Sequence, residues 1–288
     1  MIELDSPCKV NLVLNILGQR SDGFHELETL MLPIPLYDRI RIQEGGPGIQ
    51  LTCSDRSLPG DASNLVYKAA KAFFIRTALQ EHVNIHLEKK IPMAAGLGGG
   101  SGNAALTLLG LNQLFGKPLN QESLHDLAAT LGSDVPFFLQ NGPALAFGRG
   151  ECVEPLAPFQ CLHHCGLVLV HPGFGISTPW AYQQLKQFPS MRNGQPGKAR
   201  RLAEALSLGA VPALSQQLYN SLESPALQKY PILQVYQEYF REQGALGTLM
   251  SGSGSTTFAI FKSIELAQSA ESVFRSRFSS VWTTSLAL

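Results

Sequence analysis

Ile91-Pro92-Met93-Ala94-Ala95-Gly96-Leu97-Gly98-Gly99-Gly100-Ser101-Gly102-Asn103 joins two segments of opposite periodicity. Before it, Val83 to Leu87 alternates apolar and polar residues, which predicts a strand with one buried face. Behind it, Ala104 to Phe115 is apolar and predicts a helix that stops at Gly116, with Pro118 beyond. A strand, a glycine-rich turn and a helix in that order favour a bound phosphate over a flexible linker. Glycine lets backbone come close to a ligand, and the unpaired N–H groups of a helix start favour an anion. Ser101 adds a hydroxyl for a phosphate or for Mg²⁺. Two common phosphate-binding patterns are excluded. No Gly-Lys-[Ser/Thr] follows, so this is not a Walker A loop. Nor is it the Gly-x-Gly-x-x-Gly of a Rossmann unit with an acidic residue about 20 positions on.

Upstream of the loop, residues 8–16 alternate, with Cys8, Val10, Leu12, Leu14 and Ile16 on one side and Lys9, Asn11, Val13 and Asn15 on the other. Gly18 to Gly23 reads as a turn, 26–32 as a strand and Gly45-Gly46-Pro47-Gly48 as a loop. Residues 63–80 have helical spacing, and Ser63 or Asn64 stands where a cap belongs. Downstream, 121–131 predicts a helix ended by Gly132. The pattern breaks at Gly148-Arg149-Gly150, which places a domain boundary there and gives domains 1–150 and 151–288. The second half reads as strand 167–170, helices near 178–188, 199–207 and 232–242, strands 246–250 and 256–261, helix 265–278 and strand 280–287. Ser190 to Gly197 reads as a polar loop. Strands interleaved with helices predict an α+β protein whose second domain is a ferredoxin-like sandwich.

The bulk numbers narrow the function classes. With 44% hydrophobic and 15% charged residues, the 288-residue chain can bury an ordinary core, which argues against disorder. Lys plus Arg equals Asp plus Glu at 22 each, and no basic run exceeds a pair, so a nucleic-acid partner is disfavoured. No apolar stretch approaches the roughly 20 residues of a membrane span. The first residues show neither a leader nor a transit pattern, so the expected location is a bacterial cytoplasm. Five cysteines at irregular spacing read as reduced thiols. Cys161-Leu162-His163-His164-Cys165 has zinc-binding residue types but lacks a second ligand cluster, so it reads as a polar loop.

Three further groups have two readings each. Lys9 and Asn11 share a strand face. Lys9 is then either an edge lysine in water or a buried cation with a charged partner. In Gly132-Ser133-Asp134-Val135-Pro136-Phe137-Phe138, Asp134 reads as a helix cap, or as a carboxylate held ready to accept a hydroxyl proton. Met250-Ser251-Gly252-Ser253-Gly254-Ser255 reads as a hairpin turn, or as a loop closing over phosphate.

Together these segments resemble the GHMP family of small-molecule kinases, in the order Lys9 strand, Pro92–Ser101 loop and Ser251-Gly252-Ser253-Gly254 loop. Four segments sharpen the resemblance: Pro7 to Leu12, Gly18 to His25, Gly132 to Pro136, and Ser177-Thr178-Pro179. The resemblance implies a two-domain GHMP kinase fold, with a ribosomal-protein-like β/α first domain and the ferredoxin-like second. It implies transfer of the γ-phosphoryl of ATP, with Mg²⁺, to the 2-hydroxyl of a small-molecule substrate, 4-diphosphocytidyl-2-C-methyl-D-erythritol. Asp134 becomes the base and Lys9 its charged partner. Asn11, Phe24, His25, Thr178 and Tyr182 fall at the substrate, with Tyr182 stacking on cytosine. Asn64, Lys89, Met93 and Asn103 line the adenosine end, the loop from Pro92 to Asn103 holds ATP, and Ser101 is a candidate Mg²⁺ contact. A monomer or weak homodimer is expected. Alternatives are a kinase for homoserine or a sugar, or a metabolite sensor without turnover. The sequence departs from the family pattern at Phe24 (commonly Tyr), at Gly102 (commonly Ser), and at Ala94 and Ala95 (commonly Gly).

Overall fold

The computed structural model describes all 288 residues. The chain folds into two compact units that are not consecutive halves. One is built from Met1–Cys8, Leu36–Pro92 and Gly98–Asn141, the other from Lys9–Pro35, Met93–Leu97 and Gly142–Leu288. The glycine-rich loop is therefore itself divided, with Met93–Leu97 in the second unit and Gly98–Asn103 in the first.

In chain order the elements of the first half are β1 (Ile2–Gln19), β2 (His25–Glu44), β3 (Gly48–Cys53), α1 (Leu65–Thr77), β4 (His82–Glu88), α2 (Gly99–Leu114) and α3 (Gln121–Leu131). Then come β5 (Ala144–Gly148), β6 (Cys152–Pro155), β7 (Gly166–His171), α4 (Thr178–Gln184), α5 (Pro189–Arg192), α6 (Lys198–Ser207), α7 (Ala213–Gln217) and β8 (Tyr219–Asn220). The chain ends with α8 (Glu223–Lys229), α9 (Ile232–Glu242), β9 (Gly247–Met250), β10 (Thr257–Phe261), α10 (Ile264–Arg277) and β11 (Trp282–Ala287). A seven-stranded sheet has the order β3-β4-β2-β1-β8, with β5 pairing β2 and β6. A four-stranded sheet has the order β11-β7-β10-β9. No helix is long and apolar enough to cross a membrane.

In the first unit, β4 pairs antiparallel with the end of β2 (Arg39↔Glu88) and parallel with β3 (Gly48↔His82). Helix α1 starts at Asn64, whose side chain accepts from Val66 N at 2.9 Å and so satisfies a first-turn donor. It packs on α2 through Phe73 and Phe74, whose rings lie 6.1 and 5.4 Å from that of Phe115. Helix α2 starts at Gly99, five residues earlier than its apolar pattern predicts. Gly98 takes a left-handed conformation (φ 70°) at the cap, and tertiary burial of Gly99, Gly102 and Asn103 overrides the weak helix propensity of glycine.

In the second unit, β7 is buried along its whole length between β10 and β11. Helices α9 and α10 cover the four-stranded sheet through Leu233, Tyr236, Phe240, Ala267 and Phe274, with Phe240 stacked on Phe274 at 5.1 Å. The apolar spacing of 232–242 and 265–278 produces this face. In the same unit β5 pairs with β2 (Leu27↔Gly148) and β8 with β1 (Leu14↔Asn220).

Three expectations need correction. Lys9 is not a water-facing edge residue. It is 3% exposed in a strand whose residues from Cys8 to Leu14 are all buried, so alternation there does not separate a wet face from a dry one. Asp134 does not cap a helix: Pro136–Leu139 is a 3₁₀ turn whose cap position is Val135, with no capping side chain. The stretch 190–197 is not simply loop, because Pro189–Arg192 forms α5.

Candidate functional site

In the second unit, Lys9 lies on β1 with its backbone N bonded to Leu97 O at 2.9 Å. Its Nζ donates to Asn11 Oδ1 at 2.6 Å and to Gly96 O at 3.0 Å. Asn11 is oriented in turn, since its Nδ2 donates to Thr29 Oγ1 and that hydroxyl donates to Val13 O. A buried ammonium held by two oxygens keeps a fixed position and a focused charge.

The Ser251–Ser255 segment is a hairpin connection between β9 and β10, with Ser251 N bonded to Thr256 O. It also meets Met93–Leu97 directly. Ser251 Oγ donates to Gly96 O at 3.0 Å, and Thr256 N to Ala95 O at 3.1 Å. Glycine is required on both sides of this contact. A Cβ at Gly96 (φ +77°) would sit 2.0 Å from Ser251 O, and one at Gly252 (φ +57°) 3.2 Å from Lys9 Nζ. Two residues absent from the sequence reading hold this hairpin. Asn220 Nδ2 donates to Met250 O and Gly252 O, and the half-buried Glu223 accepts from Met250 N and from Gln237. Nothing in the local pattern of 219–223 marks them, because the segment has neither strand nor helix periodicity.

Elsewhere in the second unit, Thr178 Oγ1 lies 2.8 Å from Ser253 Oγ, and the rings of His25 and Tyr182 are 5.2 Å apart. Burial pushes the His25 imidazole below its ordinary pKa, and the nearby Arg192 charge adds to the shift, so the ring is neutral at pH 7. Phe24 is exposed, with the Arg149 guanidinium 4.9 Å over its ring.

In the first unit, Gly98–Asn103 forms the start of α2. The end carries no side-chain cap and no acidic residue in its first turn, so its N–H groups and dipole suit an anion. Gly102 has no room for the serine common in the family, because a Cβ there would lie 2.8 Å from Pro7 O. Asn64 caps α1 and donates to Pro59 O. Lys89 and Asn103 converge on Asp38, a residue the sequence reading passed over. Its Oδ2 accepts from Lys89 Nζ at 2.6 Å and Asn103 Nδ2 at 3.0 Å, and its Oδ1 from Lys90 N and Ile91 N at 2.7 and 2.9 Å. This fully buried carboxylate fixes the entry of the glycine-rich segment. Asp134, partly exposed, follows Gly132 in the turn closed by Val135 N on Gly132 O.

Residues 64–142 match the GHMP kinases N terminal domain, and 199–280 match the GHMP kinases C terminal domain. Fold and matches define a GHMP kinase, an ATP-dependent enzyme. The chain is 43% identical to the 4-diphosphocytidyl-2-C-methyl-D-erythritol kinase of Synechococcus sp. (strain JA-2-3B'a(2-13)), over 97% of this chain and 92% of that one. It is 40% identical to the enzyme of the same name from Desulfitobacterium hafniense (strain Y51), over 98% and 95%. A crystal structure of 4-(cytidine 5'-diphospho)-2C-methyl-D-erythritol kinase superposes with TM-score 0.82 at 36% identity over all of both chains. A homoserine kinase from Cytophaga hutchinsonii reaches TM-score 0.76 at 20% identity, a likeness of fold alone. The chain belongs to the 4-diphosphocytidyl-2-C-methyl-D-erythritol kinase family.

Proposed function

We propose that the protein transfers the γ-phosphoryl group of ATP to the 2-hydroxyl of 4-diphosphocytidyl-2-C-methyl-D-erythritol, a step in non-mevalonate isoprenoid precursor synthesis. Full-length identity to relatives bearing that substrate's name supports the choice of substrate. The observation that carries the chemistry is Lys9, buried and locked by Asn11 and the Gly96 carbonyl beneath Gly252.

Phosphoryl transfer is mainly positioning and charge neutralisation. In this reading Asp134 accepts the hydroxyl proton, and the Lys9 ammonium offsets charge on the group in transfer. The uncapped start of α2, from Gly98 to Asn103, takes nucleotide phosphates together with Pro92–Leu97. Asn64, Lys89 and Met93 lie toward adenosine. Lys89 and Asn103 act there chiefly by shaping the loop, since both bind Asp38. Mg²⁺, when bound, neutralises phosphate charge, and the Ser101 hydroxyl is its candidate protein contact. Phe24, His25 and Tyr182 receive the cytosine, with neutral His25 able both to donate and to accept. Asn11 and Thr178 face the rest of the substrate. The two domain matches fall on either side of residue 150, which supports 1–150 and 151–288 as the N- and C-terminal kinase regions. The reading also carries a cytoplasmic location and a monomer or weak homodimer, the latter checked by sedimentation.

The test is ADP release by purified protein with ATP, Mg²⁺ and a panel of the named substrate, homoserine and galactose. Turnover is expected with the first alone. Folded protein that leaves it unphosphorylated sinks the proposal.

A further inference from the structure

Arg192 ends helix α5 in the second unit. Its Nη2 donates to Gln19 Oε1 at 2.5 Å, while its Nε is shut from solvent without a hydrogen-bond partner. No carboxylate pairs with it, although most other arginines here do pair, as Arg20 does with Glu26 and Arg200 with Glu154. A guanidinium is charged at any working pH, so one that is partly buried without a counter-ion implies an anion from outside the chain.

The backbone around Arg192 is pinned. Asn193 Nδ2 donates to Pro189 O, Gly194 N to Ile16 O at 2.8 Å, and Asn15 Nδ2 to Gln195 O at 2.8 Å. The buried Glu28 carboxylate accepts from Gly197 N and Lys198 N, both at 2.7 Å, and from Asn15 Nδ2 at 2.9 Å. The one nearby buried carboxylate is thus engaged at the start of α6. The segment 193–199 is strapped to β1 and β2, and Arg192 is held in place as a binding group must be. Its charge reaches His25, whose ring lies against Tyr182.

We infer that Arg192 takes the diphosphate of a cytidine-diphosphate-linked substrate through the outer edge of its half-buried guanidinium. The inference rests on the proposed substrate. Cytosine is neutral and suits the rings of His25 and Tyr182, whereas the guanidinium fork matches phosphate oxygens. Gln19 orients the fork by holding Nη2 and leaves Nη1 for the ligand.

The test is calorimetric binding of CDP and of cytidine to the full chain, as wild type, Arg192→Gln and Arg192→Lys. Wild type is expected to prefer CDP by about tenfold or more, as for a charge-assisted pair. Arg192→Gln should bring the two ligands within about twofold of each other with cytidine binding unchanged, and Arg192→Lys should restore part of the preference. The ratio is taken within one protein, so it is insensitive to the folded fraction. In turnover, Arg192→Gln raises KM for the cytidine substrate and leaves KM for ATP. A wild type without CDP preference, or an Arg192→Gln variant that keeps it, overturns the inference. Absent turnover with an intact, Arg192-dependent CDP preference sinks the substrate reading instead and upholds the diphosphate contact.

Discussion

Replacing Asp38 by asparagine changes one atom and breaks two of four hydrogen bonds. Each carboxylate oxygen accepts two donors, Oδ1 from Lys90 N and Ile91 N, and Oδ2 from Lys89 Nζ and Asn103 Nδ2. An amide has one acceptor end, so either orientation turns its NH₂ toward two donors. The substitution also strips the counter-ion from a lysine whose side chain is 8% exposed. Breaking a buried ion pair on one side costs about 3–5 kcal/mol. At about 2–4 °C per kcal/mol for a chain of this size class, the thermal midpoint should fall by roughly 10 °C. Adding Lys89→Met removes the orphaned charge, so the double variant should regain about 2 kcal/mol over Asp38→Asn alone. Thermal unfolding by circular dichroism on the four proteins of this cycle gives both quantities. A fall of less than about 3 °C for Asp38→Asn, or strict additivity in the cycle, would refute the reasoning.

Other outcomes follow from the same geometry. Asp134→Asn is expected to lower kcat by about 10²–10⁴ if the carboxylate is the proton acceptor, with KM for ATP little changed; a coupled ADP assay decides it. Ala94 sits at φ 50°, a left-handed conformation that strains any residue with a Cβ. Ala94→Gly should therefore stabilise the protein by about 0.5–1 kcal/mol, net of the entropy glycine adds to the unfolded chain, as read from denaturant midpoints. Burial depresses the pKa of His171. Its neutral form is favoured only in the folded state, so its contribution is complete above the unfolded value of about 6.5 and is lost as pH falls toward the folded one. His171→Gln should flatten the decline in stability below about pH 6.5, measured by urea unfolding at several pH values.

The elements with clean periodicity were legible in the sequence. Helices α3 and α9 fall on the residues their apolar spacing picks out, and Asn64 caps α1 as its position suggests. Burial was less legible. In β1 both faces are covered, so Lys9 and Asn11 looked like a polar face although neither is wet. Asp38 does carry a signal in the sequence: it shares strand parity with Ile40 and Ile42, which puts a charge on the apolar face of β2. Asn220 and Glu223 gave no signal, because the carbonyls and amides they bind lie some thirty residues away, at Met250 and Gly252. Of the candidate site, motif order points to the glycine contacts, but the meeting of Gly96 with Ser251 spans 155 residues and leaves no local pattern.

The interleaving of the two units bears on the order in which the protein can be made. Every segment of the first unit has been synthesised once residue 141 is reached, so that unit can close early. The second unit then owns only Lys9–Pro35 and Met93–Leu97. Leu27–Met31 of β2 must wait for Ala144–Gly148, and Val13–Leu14 of β1 for Tyr219–Asn220, more than two hundred residues downstream. During that interval the nascent chain displays unpaired strand edges rich in leucine and valine, the surface that invites mispairing with another copy. No single cut of the polypeptide separates the two units, and a shortened form ending near residue 150 keeps Ala144–Gly148 but leaves Val13–Leu14 of β1 without its partner permanently.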